Sequence, residues 1–235
     1  MPITMLRLLT KVLSCFVLFL AVACTPSLQE PASPDYAYFP LETGRYWIYD
    51  VQEQQFTSAT SPVQRTYQLK ELVGQAYTDV TGQHAYRLLR YKRSDDTQPW
   101  QPDSVWSARL VNNLAIRSEN GRDFVSLLFP ISDHLSWNGN QLSGAGADQY
   151  VVRNVGQPYR VLAKQFDNTV TVVAQDDSTL VSQNKRMDVY ARGVGLVFKE
   201  RTHVQFCTAS PACIGHQQID YGTQQIYRIR TYGTD

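Results

Sequence analysis

An excess of charge of either sign is missing from this chain. Its 22 Lys and Arg stand against 21 Asp and Glu, a net charge of +1. Nothing in that balance calls for nucleic acid or an anionic surface as an electrostatic partner. A long apolar run is missing too. The longest one, residues 12–23, holds about a dozen residues where a bilayer span needs roughly 20. Methionine is scarce, with 3 against 14 Tyr, and beyond residue 24 no stretch keeps a 3.6-residue apolar period for three turns, which argues against a helical bundle. The nucleophile elbow Gly-x-Ser-x-Gly does not occur.

What is present begins at the N-terminus. Arg7 and Lys11 precede the uncharged run, which closes on Ala21-Val22-Ala23-Cys24. A basic start, a short apolar core and small residues before a cut mark an export signal. The motif resembles the lipobox of bacterial lipoproteins, with Ala21 in place of the usual Leu. That resemblance implies cleavage before Cys24 and acylation of its sulfur and new N-terminus. The alternative is an ordinary signal peptide cut after Ala23. Residues 24–35, rich in Pro and Ser, read as a flexible tether, and residues 36–235 as one domain. Thr25, where an Asp would suggest inner-membrane retention, points to the outer membrane. Loss of Arg7 and Lys11 with the leader brings 22 basic residues to 20 against 21 acidic, so the net charge becomes −1.

The domain reads as all-β. Trp47, Tyr49 and Val51 alternate with polar or smaller neighbours, and Tyr67, Leu69, Glu71 and Val73 continue the period of two. Asn120-Gly121 and Asn138-Gly139 sit between such runs as hairpin signals, and Asp95-Asp96 and Asp176-Asp177-Ser178 read as turns. Residues 182–190 are the one segment that suits one or two helical turns. The expectation is a single antiparallel β-sandwich or curved barrel-like sheet.

Three segments, Tyr38-Phe39-Pro40-Leu41-Glu42-Thr43-Gly44-Arg45-Tyr46-Trp47-Ile48-Tyr49, Leu128-Phe129-Pro130-Ile131 with Trp137-Asn138-Gly139-Asn140, and Val189-Tyr190-Ala191-Arg192-Gly193-Val194-Gly195-Leu196-Val197-Phe198-Lys199-Glu200, are together similar to uncharacterised lipoproteins of Bacteroidetes. The resemblance implies lineage, export and fold, and carries no activity. Gly193 and Gly195 suit a bulge or a close backbone approach; without a following Lys-Ser/Thr and helix they do not make a phosphate loop.

Once Cys15 is removed with the leader and Cys24 is lipidated, Cys207 and Cys213 remain. In an oxidising compartment an even pair forms a disulfide. The spacing His203-x3-Cys207-x5-Cys213-x2-His216 admits a tetrahedral zinc site as the alternative, provided both sulfurs are thiolates. Trp100, Trp106, Trp137, Tyr150 and Tyr159 are either sheet core or a concave face for a lipid, glycan or peptide. No cofactor is called for. The expected role is a lipid-anchored, non-enzymatic binding or assembly module, held to the membrane through Cys24. The alternatives are an envelope hydrolase, whose site would gather His84, His134 and carboxylates in three dimensions, and a structural spacer.

Overall fold

A computed structural model describes residues 34–58 and 60–235. The leader, Cys24 and all but the last two positions of the expected tether lie outside the described residues. A short 3-10 turn, Pro34–Tyr38, leads into twelve strands: β1 (Arg45–Thr57), β2 (Thr60–Thr78), β3 (His84–Arg93), β4 (Gln101–Val111), β5 (Leu114–Glu119), β6 (Arg122–Leu128), β7 (Ser136–Asn138), β8 (Gln149–Val161), β9 (Lys164–Ser178), β10 (Ser182–Ala191), β11 (Gly195–Phe206) and β12 (Ile219–Thr234).

All twelve form one antiparallel sheet in the order β6-β5-β4-β3-β2-β1-β12-β11-β10-β9-β8-β7. Neighbours in sequence are neighbours in the sheet, and the chain's first strand pairs with its last, Val51 opposite Tyr227. The meander therefore curls into a nearly closed barrel with β6 and β7 at its seam. There Val125 N–H donates to Gly139 O at 2.9 Å, and the Trp137 indole donates to Val125 O at 2.8 Å. Curling leaves short edges where an open twelve-stranded sheet would expose two long ones.

The period of two read from the sequence is the period of burial. Trp47, Tyr49 and Val51 are buried while Ile48, Asp50 and Gln52 are half-buried. The Asn120-Gly121 turn joins β5 to β6 with both residues at positive φ, 51° and 77°, the conformation a two-residue hairpin loop demands.

One ribbon leaves the barrel wall. The register of β8 on β9 shifts between Arg153 and Gln157, where Asn154 and Gly156 take positive φ. Beyond that bend the ribbon reaches strands it does not pair with: Tyr159 meets Phe198 of β11 at 5.7 Å and Phe166 meets Tyr232 of β12 at 6.3 Å. It lies across the sheet as a partial second layer.

Three local expectations are corrected. Residues 182–190 are β10 and not helical turns, because each backbone group finds a partner in β9 or β11. Asp176 and Asp177 belong to β9, opposite Lys185 and Asn184, and the turn falls at Thr179–Val181. Asn138-Gly139 ends β7 without a tight hairpin. A longer loop follows, held by Asn138 Oδ1, which accepts from the backbone N–H of Asn140 at 3.0 Å and of Asp148 at 2.9 Å.

Candidate functional site: a charged barrel interior

One end of the barrel is stopped by the chain's own N-terminal segment. Ala37 O accepts from Gly193 N–H at 2.7 Å, Asp35 Oδ2 accepts from Ile131 N–H at 2.9 Å, and the Tyr36 hydroxyl donates to Asn112 O at 2.5 Å. The Tyr38 hydroxyl donates to Asn168 Oδ1. These partners come from four separate parts of the chain around that end. Below them Phe39, Pro40 and Leu41 pack towards Trp47 and Tyr49. The Trp47 indole donates to Val194 O at 2.6 Å, and Gly195 lies so near that a Cβ there would meet the Trp47 ring and Pro40 at 3.4 Å. The Gly-Val-Gly segment is thus the place of close approach that its glycines imply.

Beyond this apolar stop the interior becomes ionic. Glu71 is buried beside Leu69 and Val73 on the same phase of β2, with exposures of 3%, 2% and 1%. Arg117 of β5 grips both its oxygens, at 2.8 and 3.1 Å, and Arg90 of β3 adds a contact at 3.2 Å. Arg90 stacks on Trp106 at 3.6 Å. Burial opposes ionisation of Glu71, but the two guanidiniums overcome it and hold the carboxyl at about 2. Arg117 also donates to Glu119 at 3.1 Å. Across the barrel Arg201 pairs with Asp188 at 2.8 Å and Arg186 with Asp148 at 2.7 Å.

Between these walls lies a cavity of about 160 Å³, lined on one side by Arg117, Glu119 and Ser126 and on the other by Asp188, Tyr190, Lys199 and Arg201. Lys199 differs from the arginines. No hydrogen bond or ion pair with another described residue engages its ammonium, which lies 5.8 Å from the centre of the Tyr227 ring. Burial pushes its pKa below the ordinary lysine range, against the opposing pull of Glu119 and Asp188. Burial likewise raises the Tyr190 hydroxyl well above its usual value, so it stands as a neutral donor.

The residues singled out from sequence are distributed differently. Cys207 and Cys213 are joined as a disulfide with Cα atoms 5.7 Å apart, so neither sulfur is a thiolate. His203 hydrogen-bonds Asn184, and His216 lies three residues past the disulfide loop, its backbone N–H donating to Cys213 O at 3.3 Å. Among the described residues no group of three His, Cys, Asp or Glu is placed to hold a metal. The five aromatics do not make one face. Trp137 and Tyr150 pack together in the core at 5.7 Å; Trp106 lies under Arg90; Trp100 is half-buried against Arg93 at 4.3 Å; Tyr159 rides on the β8–β9 ribbon. Of the five, Tyr150 alone lines the cavity. His84 stacks edge-on with Tyr86 at 5.1 Å, and His134 occupies a positive-φ position before β7, its N–H donating to Val152 O at 3.0 Å.

A Ser-x-x-Lys tetrad does occur, at Ser182 to Lys185, and β10 separates its ends. Residues three apart in a strand face opposite ways. Ser182 Oγ lies 3.0 Å from Thr179 Oγ1, and Lys185 pairs with Glu200 at 3.1 Å.

The site residues that sequence reasoning passed over are Arg117, Tyr190, Lys199 and Arg201. A signal was available: Lys199 and Arg201 keep the phase of Val197, which is fully buried. A charge on a core phase is not a solvated face. No family model matches the chain, and no curated protein or solved structure matches it either.

Proposed function

We propose that this chain is an exported lipoprotein of the bacterial envelope that works as a binding module, holding a ligand within its barrel. The cavity carries this reading: it is walled by ionic groups, stopped at one end by residues 35–41, and lined by donors left without protein partners. A structural spacer has no use for such a space, since buried charge is costly and weak as a stabiliser when compared with apolar packing. Export and the lipid on Cys24 rest on the leader and lipobox. An acylated cysteine carrying more than one chain anchors firmly where a single chain does not. Among the described residues no helix is long and apolar enough to cross a membrane.

The test has two arms. Fractionation of expressing cells, with radiolabelled palmitate, is expected to find the full chain labelled and in the membrane fraction, and Cys24→Ser unlabelled and released. Native mass spectrometry of the detergent-extracted lipoprotein is expected to find a small molecule retained with the barrel. An unlabelled, soluble wild-type chain ends the anchoring claim; failure to retain or take up any small molecule ends the binding claim.

A further inference from the structure

We infer that the barrel cavity is a site for a small oxyanion, a carboxylate or phosphate group, received by Lys199 and Tyr190 with Arg201 and Ser126 alongside. This deepens the binding role proposed above and names its chemistry.

Four cations line the cavity, Arg117, Arg186, Lys199 and Arg201, against two carboxylates, Glu119 and Asp188. The guanidiniums are committed: Arg117 to Glu71 and Glu119, Arg186 to Asp148, Arg201 to Asp188. Lys199 is left over, with three N–H donors and no acceptor among the described residues. Lys199 is half-buried at the cavity wall, and an ammonium partly withdrawn from water in that condition lacks the partner that such charges ordinarily have. Tyr190 is 3% exposed and Ser126 8%. No described residue hydrogen-bonds either hydroxyl, yet both line the same space. Ammonium, phenol and hydroxyl are all able to donate, and an ammonium cannot accept. The group that satisfies all three is an acceptor carrying negative charge, and charge-assisted bonds to it are the strong kind. A cation would meet Lys199 and Arg201 at close range. A neutral sugar would leave the ammonium uncompensated. The cavity volume admits several waters or one small anion with its immediate substituent. Phe124, Leu196 and the Tyr150 ring complete the lining and offer apolar surface to that substituent.

Thermal unfolding of the full-length lipoprotein in non-ionic detergent tests this, with inorganic phosphate and acetate compared against chloride at matched ionic strength. At least one of the two is expected to raise the midpoint in a saturable manner, and which one does so separates phosphate from carboxylate. Lys199→Met is expected to weaken that anion on the order of tenfold or more and to raise the midpoint of the ligand-free protein, because a half-buried charge without a partner is gone. Tyr190→Phe, which removes one oxygen and keeps the ring, is expected to weaken binding several-fold without lowering the ligand-free midpoint. The site is overturned if neither anion acts beyond chloride, or if the shift survives in both variants, which would place binding elsewhere. If Lys199→Met does not fold, Lys199 is structural and the proposal fails. Cell fractionation reports separately: a soluble wild-type chain ends the anchor and leaves this site standing, while a silent anion titration ends the site and leaves the anchor.

Discussion

The two ends of the barrel interior are built on the same strands and hold together by different physics. Towards the N-terminal segment, Val73, Leu88, Ala108, Ala115 and Leu127 are buried against one another and against Phe39 and Trp47. Such packing is non-directional and tolerates modest exchange. A few residues further along, Glu71 and Arg90 are buried and Arg117, Asp188 and Arg201 half-buried as ion pairs, where each group depends on its partner. Removing half of a buried pair leaves a stranded charge, whereas removing part of an apolar side chain leaves a cavity. The apolar end gives stability, and the ionic end fixes where donors and acceptors stand around a space.

That contrast is open to attack by mutation. Glu71→Leu should have the largest effect, a loss of about 3–5 kcal/mol measured by urea unfolding, since Arg90 and Arg117 would face each other without their shared carboxylate. A loss that small domains of ordinary stability barely survive is expected; a change within error would mean that the pair is solvated. Leu88→Ala at the apolar end should cost about 3 kcal/mol by the same measurement.

Acid should act on the ionic end first. The folded Glu71 carboxyl titrates at about 2, below its ordinary 4.5, facing Arg117, Arg90 and Lys199. Its contribution is therefore complete above about 4.5 and is lost as pH falls towards about 2. Asp188, half-buried beside Arg201 and Lys199, and Asp123, beside Arg109 and Ser118, are lowered in the same sense. Urea midpoints should fall through that window in the wild type. The fall should be shallower in Glu71→Leu, which has no such carboxyl to protonate. Equal slopes would remove Glu71 as the acid-sensitive group.

The smallest effect sharpens the comparison from outside. Arg230 bridges Asp50 at 3.3 Å and Asp96 at 2.5 Å while more than two-fifths of its side chain is exposed. Arg230→Ala should cost about 0.2–1 kcal/mol, with the cost shrinking as salt is raised.

Much of the wall was legible in the chain. Alternation in 45–51 and 67–73 corresponds to buried and less buried faces, and Asn120-Gly121 turns where its backbone preference says. The five aromatics failed as a group because single-residue exposure depends on which strands lie across the barrel, and sequence spacing carries no such information. Asn138-Gly139 failed as a hairpin because Gly139 packs on the Tyr150 ring, where a Cβ would stand at 2.7 Å; that glycine serves a contact and not a turn. Residues 182–190 were mistaken because Arg186 and Asp188 point into an ionic interior and break the apolar alternation that marks a strand.

The sequence by itself determined the strand period, the turn at 120–121 and the pairing of the last two cysteines. Each rests on local preference or on arithmetic within one segment. Tertiary structure decided that twelve strands close on themselves, and that Arg117, Tyr190 and Lys199 meet around one cavity. Those residues are up to 82 positions apart. Whether a charge on a strand faces water or a partner is set by what closure brings opposite it.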